Sequence, residues 1–330
     1  MPVTITIVDI ERAQQRIGDL VHETPVFSST VLNDWLGHEI FFKAECLQKI
    51  GAFKARGACN TLAWLIENNA QPERIIANSS GNHAQAVAWA AKQFNLPATI
   101  YMPGYSSKVK IQATRAYGAT VELCEDRFIV DEKVKIAAKE KGVYWIPPYN
   151  HPQVIAGQGT IMLEALQQVD NIDAVFAACG GGGMLSGSII STHALSPKTK
   201  VMGVEPLNAN DAAQSLRMKA IQKLTAVPDT IADGAMTLSV GDITFKYLQM
   251  LEEMYEVEEE KICYWTQWLT HLLKLRIEPT CAMTMEGVVR WLRTQKSKQR
   301  VMVILSGGNI DQRTQMSLWE QDYLDLQPQL

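Results

Sequence analysis

The chain is predicted to be an α/β protein built on parallel sheets that helices flank. Short, nearly all apolar runs alternate along the sequence with segments whose apolar residues have helical spacing, and this alternation is typical of that class. Strands that are buried on both faces of a parallel sheet have such an apolar character. The composition agrees, because 330 residues with 47% hydrophobic and 20% charged content can bury one large core or two moderate ones.

The apolar runs and the periodic segments give the predicted elements in order. Strands are expected at 74–77 (RIIA), 98–102 (ATIYM), 120–123 (TVEL), 174–178 (AVFAA), 200–204 (KVMGV) and 301–305 (VMVIL). Helices are expected at 82–94, 107–117, 131–141, 154–169 and 183–195. No internal repeat, low-complexity segment or Pro/Gly-rich linker is visible, so any domain boundary is crossed by compact connections.

Charge and cysteine content exclude several classes of protein. A net charge of -4 without a run of Lys and Arg disfavours nucleic-acid binding and favours a small-molecule ligand. The six cysteines are scattered without CxxC spacing, which predicts reduced thiols and a cytoplasmic location. The first residues lack the basic and apolar regions of a signal peptide, and no apolar run approaches the ~18 to 20 residues of a membrane span. A soluble protein is expected.

A run of four glycines follows the predicted strand 174–178 and precedes a predicted helix. Glycine lets the backbone turn sharply and bring its N–H groups close to an anion, while the helix start adds the positive end of its dipole. The run Gly180, Gly181, Gly182 and Gly183 therefore predicts a phosphate site, although a flexible turn is the alternative. It lacks the Lys-Ser/Thr ending of a P-loop and a convincing GxGxxG spacing, which disfavours nucleoside triphosphates and dinucleotides.

Lys54 lies in a setting of small and apolar residues, between Phe53 and Ala55. A solvated lysine gains little there, although most lysines do lie on solvated surfaces. Desolvation lowers the pKa of a lysine and supplies the neutral amine that forms an imine with an aldehyde. The sequence therefore indicates an amine nucleophile at Lys54, whereas Arg56 in the same segment is interpreted as structural.

A serine-rich segment, 79–83 (SSGNH), follows the predicted strand 74–77 and begins a predicted helix. Its N–H groups and hydroxyls would meet at a helix N-terminus, where a substrate carboxylate fits. The alternative is a plain Ser/Asn cap of the helix, with His83 as a core or capping residue.

Taken in order, these elements resemble the fold-type II pyridoxal 5'-phosphate (PLP) enzymes, and within them the branch of serine/threonine dehydratases and serine racemases. The threo-3-hydroxyaspartate dehydratases are also similar. The resemblance covers about residues 5–312 and rests on 22–26 (HETPV), Lys54, 79–83, 154–160 (VIAGQGT), 180–187 (GGGGMLSG), 230–234 (TIADG), 277–280 (IEPT) and 306–309 (SGGN). It implies a tryptophan synthase β-like fold with two open, twisted, mostly parallel sheets, flanking helices and a homodimeric assembly.

The resemblance also implies which residues bind PLP. Lys54 would form the imine, Phe53 would pack near the ring, and Asn82 would bond the phenolic oxygen. The segment from Gly180 to Met184 would bind the phosphate, Glu278 would belong to the cofactor site, and Ser306 would face the pyridine nitrogen. Because a serine hydroxyl is too weak an acid to keep that nitrogen protonated, the ring is a weaker electron sink and elimination is favoured.

The substrate would lie beside these groups. The implied substrate-binding residues are Ser79, Ser80, Gly81, Asn82, His83 and Tyr149. Lys54 would remove the Cα proton as general base and the β-hydroxyl would leave, giving a 2-oxo acid and ammonia: pyruvate from serine and 2-oxobutyrate from threonine. This dehydratase (ammonia-lyase) activity is the first hypothesis.

Ser80 keeps two other reactions open. In the racemase branch the matching serine exchanges a proton with Cα on the face opposite the lysine, so racemisation by Lys54 and Ser80 is one alternative. Dehydration of threo-3-hydroxyaspartate is the other. Tyr149 departs from the mammalian racemases, which have asparagine there, and so indicates a different substrate side chain. A non-catalytic relative is the weakest hypothesis, because every expected catalytic position is filled.

The segment 205–211 (EPLNAND) provides a candidate metal site. The carboxylates of Glu205 and Asp211 and the carbonyl of Ala209 are hard oxygen ligands, which suit Mg²⁺ or Ca²⁺. A solvated loop or a helix cap is the commoner explanation of two nearby acids. The resemblance favours the metal, because this branch binds a divalent cation with Glu, an Ala carbonyl and Asp at this spacing.

The sequence departs from the family at two further places and predicts two domains. Ala52 replaces a common serine, and Cys281 with Ala282 replaces a small, glycine-containing pair beside Glu278, which bears on efficiency and substrate size. The resemblance implies a large cofactor-binding domain from 1–73 and 151–330, and a small mobile domain at 74–150 that closes over the active site. About twenty residues follow Asn309, so no appended regulatory domain is expected.

Overall fold

A computed structural model gives the fold, and it describes residues 4–79, 81–106 and 108–330, with the side chain of Val109 excepted. Within these ranges, ten strands form two sheets: β1 (Val26–Ser28), β2 (Glu39–Lys43), β3 (Arg74–Asn78), β4 (Ala98–Pro103), β5 (Thr120–Cys124), β6 (Val143–Trp145), β7 (Ala174–Ala178), β8 (Lys200–Pro206), β9 (Glu253–Val257) and β10 (Arg300–Ile304). The larger sheet has the order β1-β2-β10-β7-β8-β9, and the smaller has the order β5-β4-β3-β6. All pairs are parallel except β1 with β2, so the predicted α/β class is confirmed.

Helices cover both sheets. They are α1 (Ile7–Ile17), α2 (Thr30–Leu36), α3 (Lys54–Glu67), α4 (Asn82–Gln93), α5 (Lys108–Ala116), α6 (Arg127–Ala137), α7 (Pro152–Gln168), α8 (Gly183–Leu195), α9 (Asp211–Met218), α10 (Asp242–Leu248), α11 (Glu259–Leu273), α12 (Pro279–Ala282), α13 (Thr284–Leu292) and α14 (Gln312–Leu318). None of the helices in the described ranges is long and apolar enough to cross a membrane.

The six predicted strands are present at the predicted positions, and four others escaped prediction. The missed strands β1 and β6 have only three residues, and β9 lies at a sheet edge and contains two glutamates, so none has a long apolar run. The expectation of burial on both faces fails for β5, which is mostly exposed because it is the edge strand of the smaller sheet. Edge strands carry polar and charged residues on the side that no neighbour covers.

The predicted helix 131–141 is wrong in its position. The helix α6 begins four residues earlier, because Asp126 Oδ1 accepts the N–H groups of Phe128 at 2.7 Å and Ile129 at 2.9 Å. Such an N-cap satisfies backbone donors of the first turn that would otherwise lack partners. The other four predicted helices agree with α4, α5, α7 and α8 to within about two residues, and the predicted start of one of them, Ser107, lies outside the described residues.

The helix α3 is buried along most of its length and is held by a cluster of charges inside the protein. The guanidinium of Arg56 donates to Glu45 Oε2 at 2.8 Å and to Glu164 Oε1 at 2.6 Å, and Lys43 Nζ donates to Glu164 Oε2 at 2.9 Å. Arg56, Lys43 and Glu45 have no exposed surface. Because a buried charge needs both a counter-charge and hydrogen bonds, this cluster fixes α3 relative to β2 and α7. The structural interpretation of Arg56 is compatible with these contacts.

The strands of the smaller sheet all lie between Arg74 and Trp145, within the predicted small domain. The larger sheet combines strands from both ends of the chain, which is compatible with a large domain from 1–73 and 151–330. The boundaries themselves, and the mobility of the smaller unit, stay predictions.

Candidate active site

The predicted site residues lie where parallel strands of both sheets end. Ser306 follows β10, the glycine run follows β7, and Ser79 follows β3. Carboxyl ends of parallel strands are the usual place for ligands in α/β folds. The start of α3 is fastened to the same edge, because the backbone N–H of Phe53 donates to the Ser306 carbonyl at 3.0 Å and Ala52 pairs with Gly307. Lys54 and Ser306 are thus brought together from positions far apart in the sequence.

Lys54 is the first residue of α3, and its amine is enclosed. Its Nζ donates to the carbonyl of Pro148 at 2.5 Å and lies 5.1 Å from the centroid of the Phe53 ring. Burial lowers the pKa of Lys54 to about 8, although the side chain as a whole keeps some exposed surface. A larger fraction of this amine is therefore neutral near neutral pH than in a solvated lysine, which is compatible with the nucleophile predicted from the small residues around it.

The glycine run forms a tight cradle between β7 and α8. Gly182 has a φ of 85°, which a side chain rarely adopts, and α8 begins at Gly183. A Cβ added to Gly181 would overlap the ring of Tyr149. The carbonyl of Gly181 accepts a hydrogen bond from Thr244 Oγ1 at 2.8 Å. The run is therefore a fixed turn with its backbone at a helix N-terminus, which suits a phosphate.

The predicted phosphate loop continues into α8 with Met184, which is buried. On the opposite side, a Cβ on Gly180 would lie 3.0 Å from the carbonyl oxygen of Gly234. Gly234 belongs to the segment 230–234 on which the resemblance partly rests. This segment is therefore a wall of the cradle.

Asn82, Glu278 and Asn309 form a hydrogen-bonded network next to the start of α3. Asn82 Nδ2 donates to Glu278 Oε1 at 2.9 Å, and Asn82 Oδ1 accepts from Asn309 Nδ2 at 2.8 Å. The Asn309 backbone N–H also donates to Glu278 Oε1 at 2.9 Å. Burial, followed by the nearby charge of Asp233, raises the pKa of Glu278 to about 7. The network fixes the orientation of the Asn82 amide, which the resemblance places beside the cofactor ring.

The predicted carboxylate-binding segment lies at the start of α4. Ser79 Oγ accepts the N–H of Gly81 at 3.1 Å, and the His83 ring nitrogen Nε2 lies 2.8 Å from the carbonyl of Ile146. Burial, followed by the charge of Lys54, lowers the pKa of His83 to about 3, so the ring is neutral and acts here as a buried hydrogen-bonding group. Ser80, the predicted second catalytic residue, lies outside the described residues.

Tyr149 is a large side chain that lies directly on the glycine cradle. Its hydroxyl donates to the carbonyl of Ser239 at 3.0 Å, and a Cβ on Gly183 would lie 2.9 Å from the Tyr149 Cβ. Burial raises the pKa of Tyr149 to about 12, and the charge of Arg127 opposes that shift. Tyr149 is therefore neutral and joins the predicted substrate side of the site to the predicted phosphate loop.

The three predicted metal ligands lie at the end of β8 and the start of α9, outside the Lys54 cluster. The carboxylate of Glu205 accepts the N–H groups of Ala212 at 3.2 Å and Ala213 at 2.6 Å. Both carboxylate oxygens of Asp211 are buried without a hydrogen-bond partner among the described residues. Burial raises the pKa of Asp211 to about 7, and the backbone groups of Asp211 and Val240 oppose this rise. Ala209 is also buried. No group of three or more His, Cys, Asp and Glu side chains in the described ranges is arranged to hold a metal.

Two contributors to the site have no assigned role in the sequence analysis. The carbonyl of Pro148 is the partner of Lys54, and Asn309 is the partner of Asn82. Asn309 lies inside the motif 306–309 and Pro148 directly precedes Tyr149, so both residues adjoin or belong to segments that the sequence indicates as functional. Pro148 is 94 positions from Lys54 in the sequence, and Asn309 is 227 positions from Asn82. A sequence pattern does not reveal contacts over such separations.

The arrangement fits PLP in three respects. It offers a desolvated amine, a glycine cradle in which a Cβ on Gly181 would not fit, and a fixed amide at Asn82. Comparison with known proteins agrees: the family model "Pyridoxal-phosphate dependent enzyme" matches residues 17–307.

Individual relatives are similar over nearly their whole length. L-threo-3-hydroxyaspartate ammonia-lyase of Saccharomyces cerevisiae is 41% identical over 315 residues, which are 94% of this chain and 95% of that protein. The crystal structure of serine racemase from Dictyostelium discoideum has a TM-score of 0.87 and 38% identity, and covers 94% of this chain and 100% of its own. The crystal structure of the T.th. threonine deaminase has a TM-score of 0.87 and 39% identity, with 93% and 99% covered. The chain therefore belongs to the family of pyridoxal-phosphate dependent enzymes, in the fold-type II branch of amino-acid ammonia-lyases and racemases.

Proposed function

We propose that the protein is an ammonia-lyase that removes the elements of water from a β-hydroxy amino acid, L-serine or L-threonine, and yields a 2-oxo acid and ammonia. The observation that supports this most directly is the Lys54 amine, which is desolvated, has a pKa of about 8 and lies at the edge that also carries Ser306. When bound, PLP withdraws electrons from the substrate and makes the Cα–H acidic. The protein has to hold the substrate and move one proton.

Lys54 supplies the base. As a neutral amine it accepts the Cα proton, and the hydrogen bond to the Pro148 carbonyl holds Nζ in place. A pKa near the working pH is the optimum for such a group, because the amine is then both available and basic. The Cα–H and Cβ–OH bonds break, water leaves, and the released enamine takes up water again to give the 2-oxo acid and ammonia.

The other residues orient the substrate and the cofactor. The segment from Ser79 to His83 at the start of α4 holds the substrate carboxylate, with the helix dipole favouring negative charge. Gly180, Gly181, Gly182, Gly183 and Met184 hold the phosphate. Asn82, fixed by Glu278 and Asn309, holds the phenolic oxygen, and Phe53 and Ser306 flank the ring.

The cofactor assignment has a spectroscopic test. The purified holoprotein should absorb near about 410 nm, and borohydride should abolish the band because it reduces an imine. Lys54→Ala should lack the band, whereas the nearby control Lys49→Ala should keep it. A band of wild-type strength in Lys54→Ala, or its absence in holoprotein, would sink the assignment of Lys54.

Two other reactions have specific support. Serine racemases from several organisms are 38–39% identical to this chain, which favours racemisation by Lys54 and Ser80 as one alternative. L-threo-3-hydroxyaspartate ammonia-lyases at 41% and 39% identity favour that substrate as the other alternative. Incubation with L-serine, L-threonine and 3-hydroxyaspartates, with both 2-oxo acid and D-isomer measured, separates them. If Ser80→Ala still forms D-isomer, Ser80 does not protonate the opposite face.

A divalent cation, Mg²⁺ or Ca²⁺, is proposed at Glu205, Ala209 and Asp211. The support is the Asp211 carboxylate, whose two buried oxygens lack partners among the described residues, since such atoms are costly unless an ion or water satisfies them. We also propose that the protein is a cytoplasmic homodimer and that residues 74–150 close over the site.

A further inference from the structure

Arg127 is a cation that reaches across the opening between the two sheets. It is the first residue of α6, which packs on the smaller sheet, and its Nη1 donates to the carbonyl of Met236 at 2.9 Å. Met236 lies two residues after Gly234, the wall of the glycine cradle. Arg127 is half-buried and is therefore partly shielded from water. It stands at the rim of the predicted active site.

The charge of Arg127 is not neutralised within the described part of the chain. No carboxylate of those residues lies within 4 Å of its guanidinium, whereas the twelve ion pairs found there include Lys110 with Asp233 on the same rim. One turn along α6, Asp131 occupies the position from which a carboxylate normally pairs with an arginine. The Oδ1 of Asp131 instead accepts a hydrogen bond from Asn78 Nδ2 at 2.7 Å. Arg127 donates one N–H to the carbonyl of Met236, and the other N–H groups of its planar guanidinium remain available for a ligand.

The contact between Asp131 and Asn78 also sets where Arg127 stands. Asn78 directly precedes Ser79, the first residue of the proposed carboxylate-binding segment, and its Oδ1 accepts Trp145 Nε1 at 2.9 Å. The start of α6 is thereby tied beside the place proposed for the substrate's α-carboxylate. On the other side Arg127 is close enough to Tyr149 for its charge to oppose the pKa rise that burial causes there.

We propose that Arg127 determines substrate specificity by binding a second carboxylate, one carried on Cβ of the substrate, so that the enzyme prefers 3-hydroxyaspartate to serine and threonine. This inference rests on the proposed elimination reaction, and it changes the preferred substrate of the same site from L-serine or L-threonine to a β-hydroxy amino acid with a second carboxylate. A guanidinium fork matches a carboxylate with two parallel hydrogen bonds, and charge-assisted bonds of this kind are about twice as strong as neutral ones. Serine and threonine have no group to fill the fork.

The test compares substrates in three variants of the holoenzyme. Arg127→Gln removes the charge, and Arg127→Lys keeps the charge without the planar guanidinium. The control is Arg74→Gln, a half-buried arginine of the smaller sheet that pairs with Glu140. For Arg127→Gln, kcat/KM with L-threo-3-hydroxyaspartate should fall about 10- to 150-fold, the effect of losing hydrogen bonds to a charged group, mostly through KM. With L-serine it should change less than about threefold. Arg127→Lys should lie between, and Arg74→Gln should match wild type.

Equal losses with both substrates, or no loss with either, would overturn the proposal, since a role in closing or stabilising the site does not distinguish them. Guanidinium chemistry also suits the cofactor phosphate, so PLP affinity is titrated in each variant: a large loss in Arg127→Gln would assign the residue to the phosphate instead. Calorimetry with succinate and butyrate gives a readout without turnover. Wild type should bind succinate more tightly than butyrate and Arg127→Gln should not. The calorimetric comparison can be made even if no β-hydroxy substrate reacts. A lack of reaction would refute the elimination reaction but not the carboxylate site at Arg127.

Discussion

Asn82 and Glu278 meet across the two sheets: the Asn82 amide, on the first residue of α4, donates to the Glu278 carboxylate at 2.9 Å. Glu278 has 2% of its surface exposed and precedes α12. Asn309 completes the link by bonding both residues. The position of the smaller sheet and the ionisation of a buried carboxyl group are therefore coupled at the proposed cofactor site.

The first prediction concerns Glu278 and pH. Because the pKa of Glu278 is raised from 4.5 to about 7, between these values the folded apoprotein keeps a proton that the unfolded chain has lost. The free energy of unfolding then falls as pH rises through this window. In Glu278→Gln this decrease should be smaller, as measured by urea unfolding from about pH 4.5 to about 7.5, the range that brackets the two pKa values.

The control for this experiment is Glu11→Gln, an exposed residue of α1. Asp211, whose pKa is also raised to about 7, contributes a slope of the same sign, so the difference between wild type and variant is the informative quantity. Identical slopes in wild type and Glu278→Gln would contradict the raised pKa.

The fold and the site could be predicted from sequence where the signal is local. The composition of a few residues is enough to indicate the strand 174–178, the glycine turn and the buried setting of Lys54. The structure has these features at the predicted positions. The helix that contains Lys54 was not predicted, because its buried faces are made of small and polar residues such as Ala55, Gly57 and Asn60 rather than of an apolar stripe.

Contacts between distant parts of the chain could not be predicted. The orientation of Asn82 depends on Glu278, 196 residues later, and the place of Arg127 depends on Met236, 109 residues later. The start of α6 was missed for a different reason: Asp126 is a recognisable cap, but the apolar period that follows it is weak in its first turn, where Phe128 is exposed.

The second prediction concerns the buried charges beneath Lys54. Arg56→Met should lower the free energy of unfolding by about 3–5 kcal/mol, because it leaves the carboxylates of Glu45 and Glu164 buried with one cation, Lys43, in place of two. Urea unfolding of the apoprotein measures it. Arg74→Met, which removes an exposed ion pair with Glu140, should cost less than about 1 kcal/mol. Equal losses would show that burial of the cluster does not matter.

The third prediction concerns the contact between Gly181 and Tyr149. Gly181→Ala should weaken PLP binding by about 1–3 kcal/mol, the usual cost of overpacking, because the new Cβ overlaps the Tyr149 ring. Adding Tyr149→Ala should restore part of the affinity, which a titration of PLP absorbance measures as a double-mutant cycle. Gly182→Ala should not be rescued in this way, since its φ of 85° makes the backbone itself the obstacle. Additive effects of the first two substitutions would refute the contact.

The fourth prediction concerns the proposed cation at Asp211. Adding Ca²⁺ or Mg²⁺ should raise the Tm of the protein, because an ion that satisfies the buried carboxylate binds the folded state alone. At a free ion concentration about 100-fold above Kd the stabilisation is about 2.7 kcal/mol, and a chelator should reverse it. Asp211→Asn should remove the response, whereas Asp229→Asn, an exposed carboxylate nearby in the chain, should keep it. A Tm shift of wild-type size in Asp211→Asn would place the ion elsewhere. No shift in wild type would show that Asp211 is buried and protonated without a metal. Its pKa of about 7 allows this protonated state below that pH.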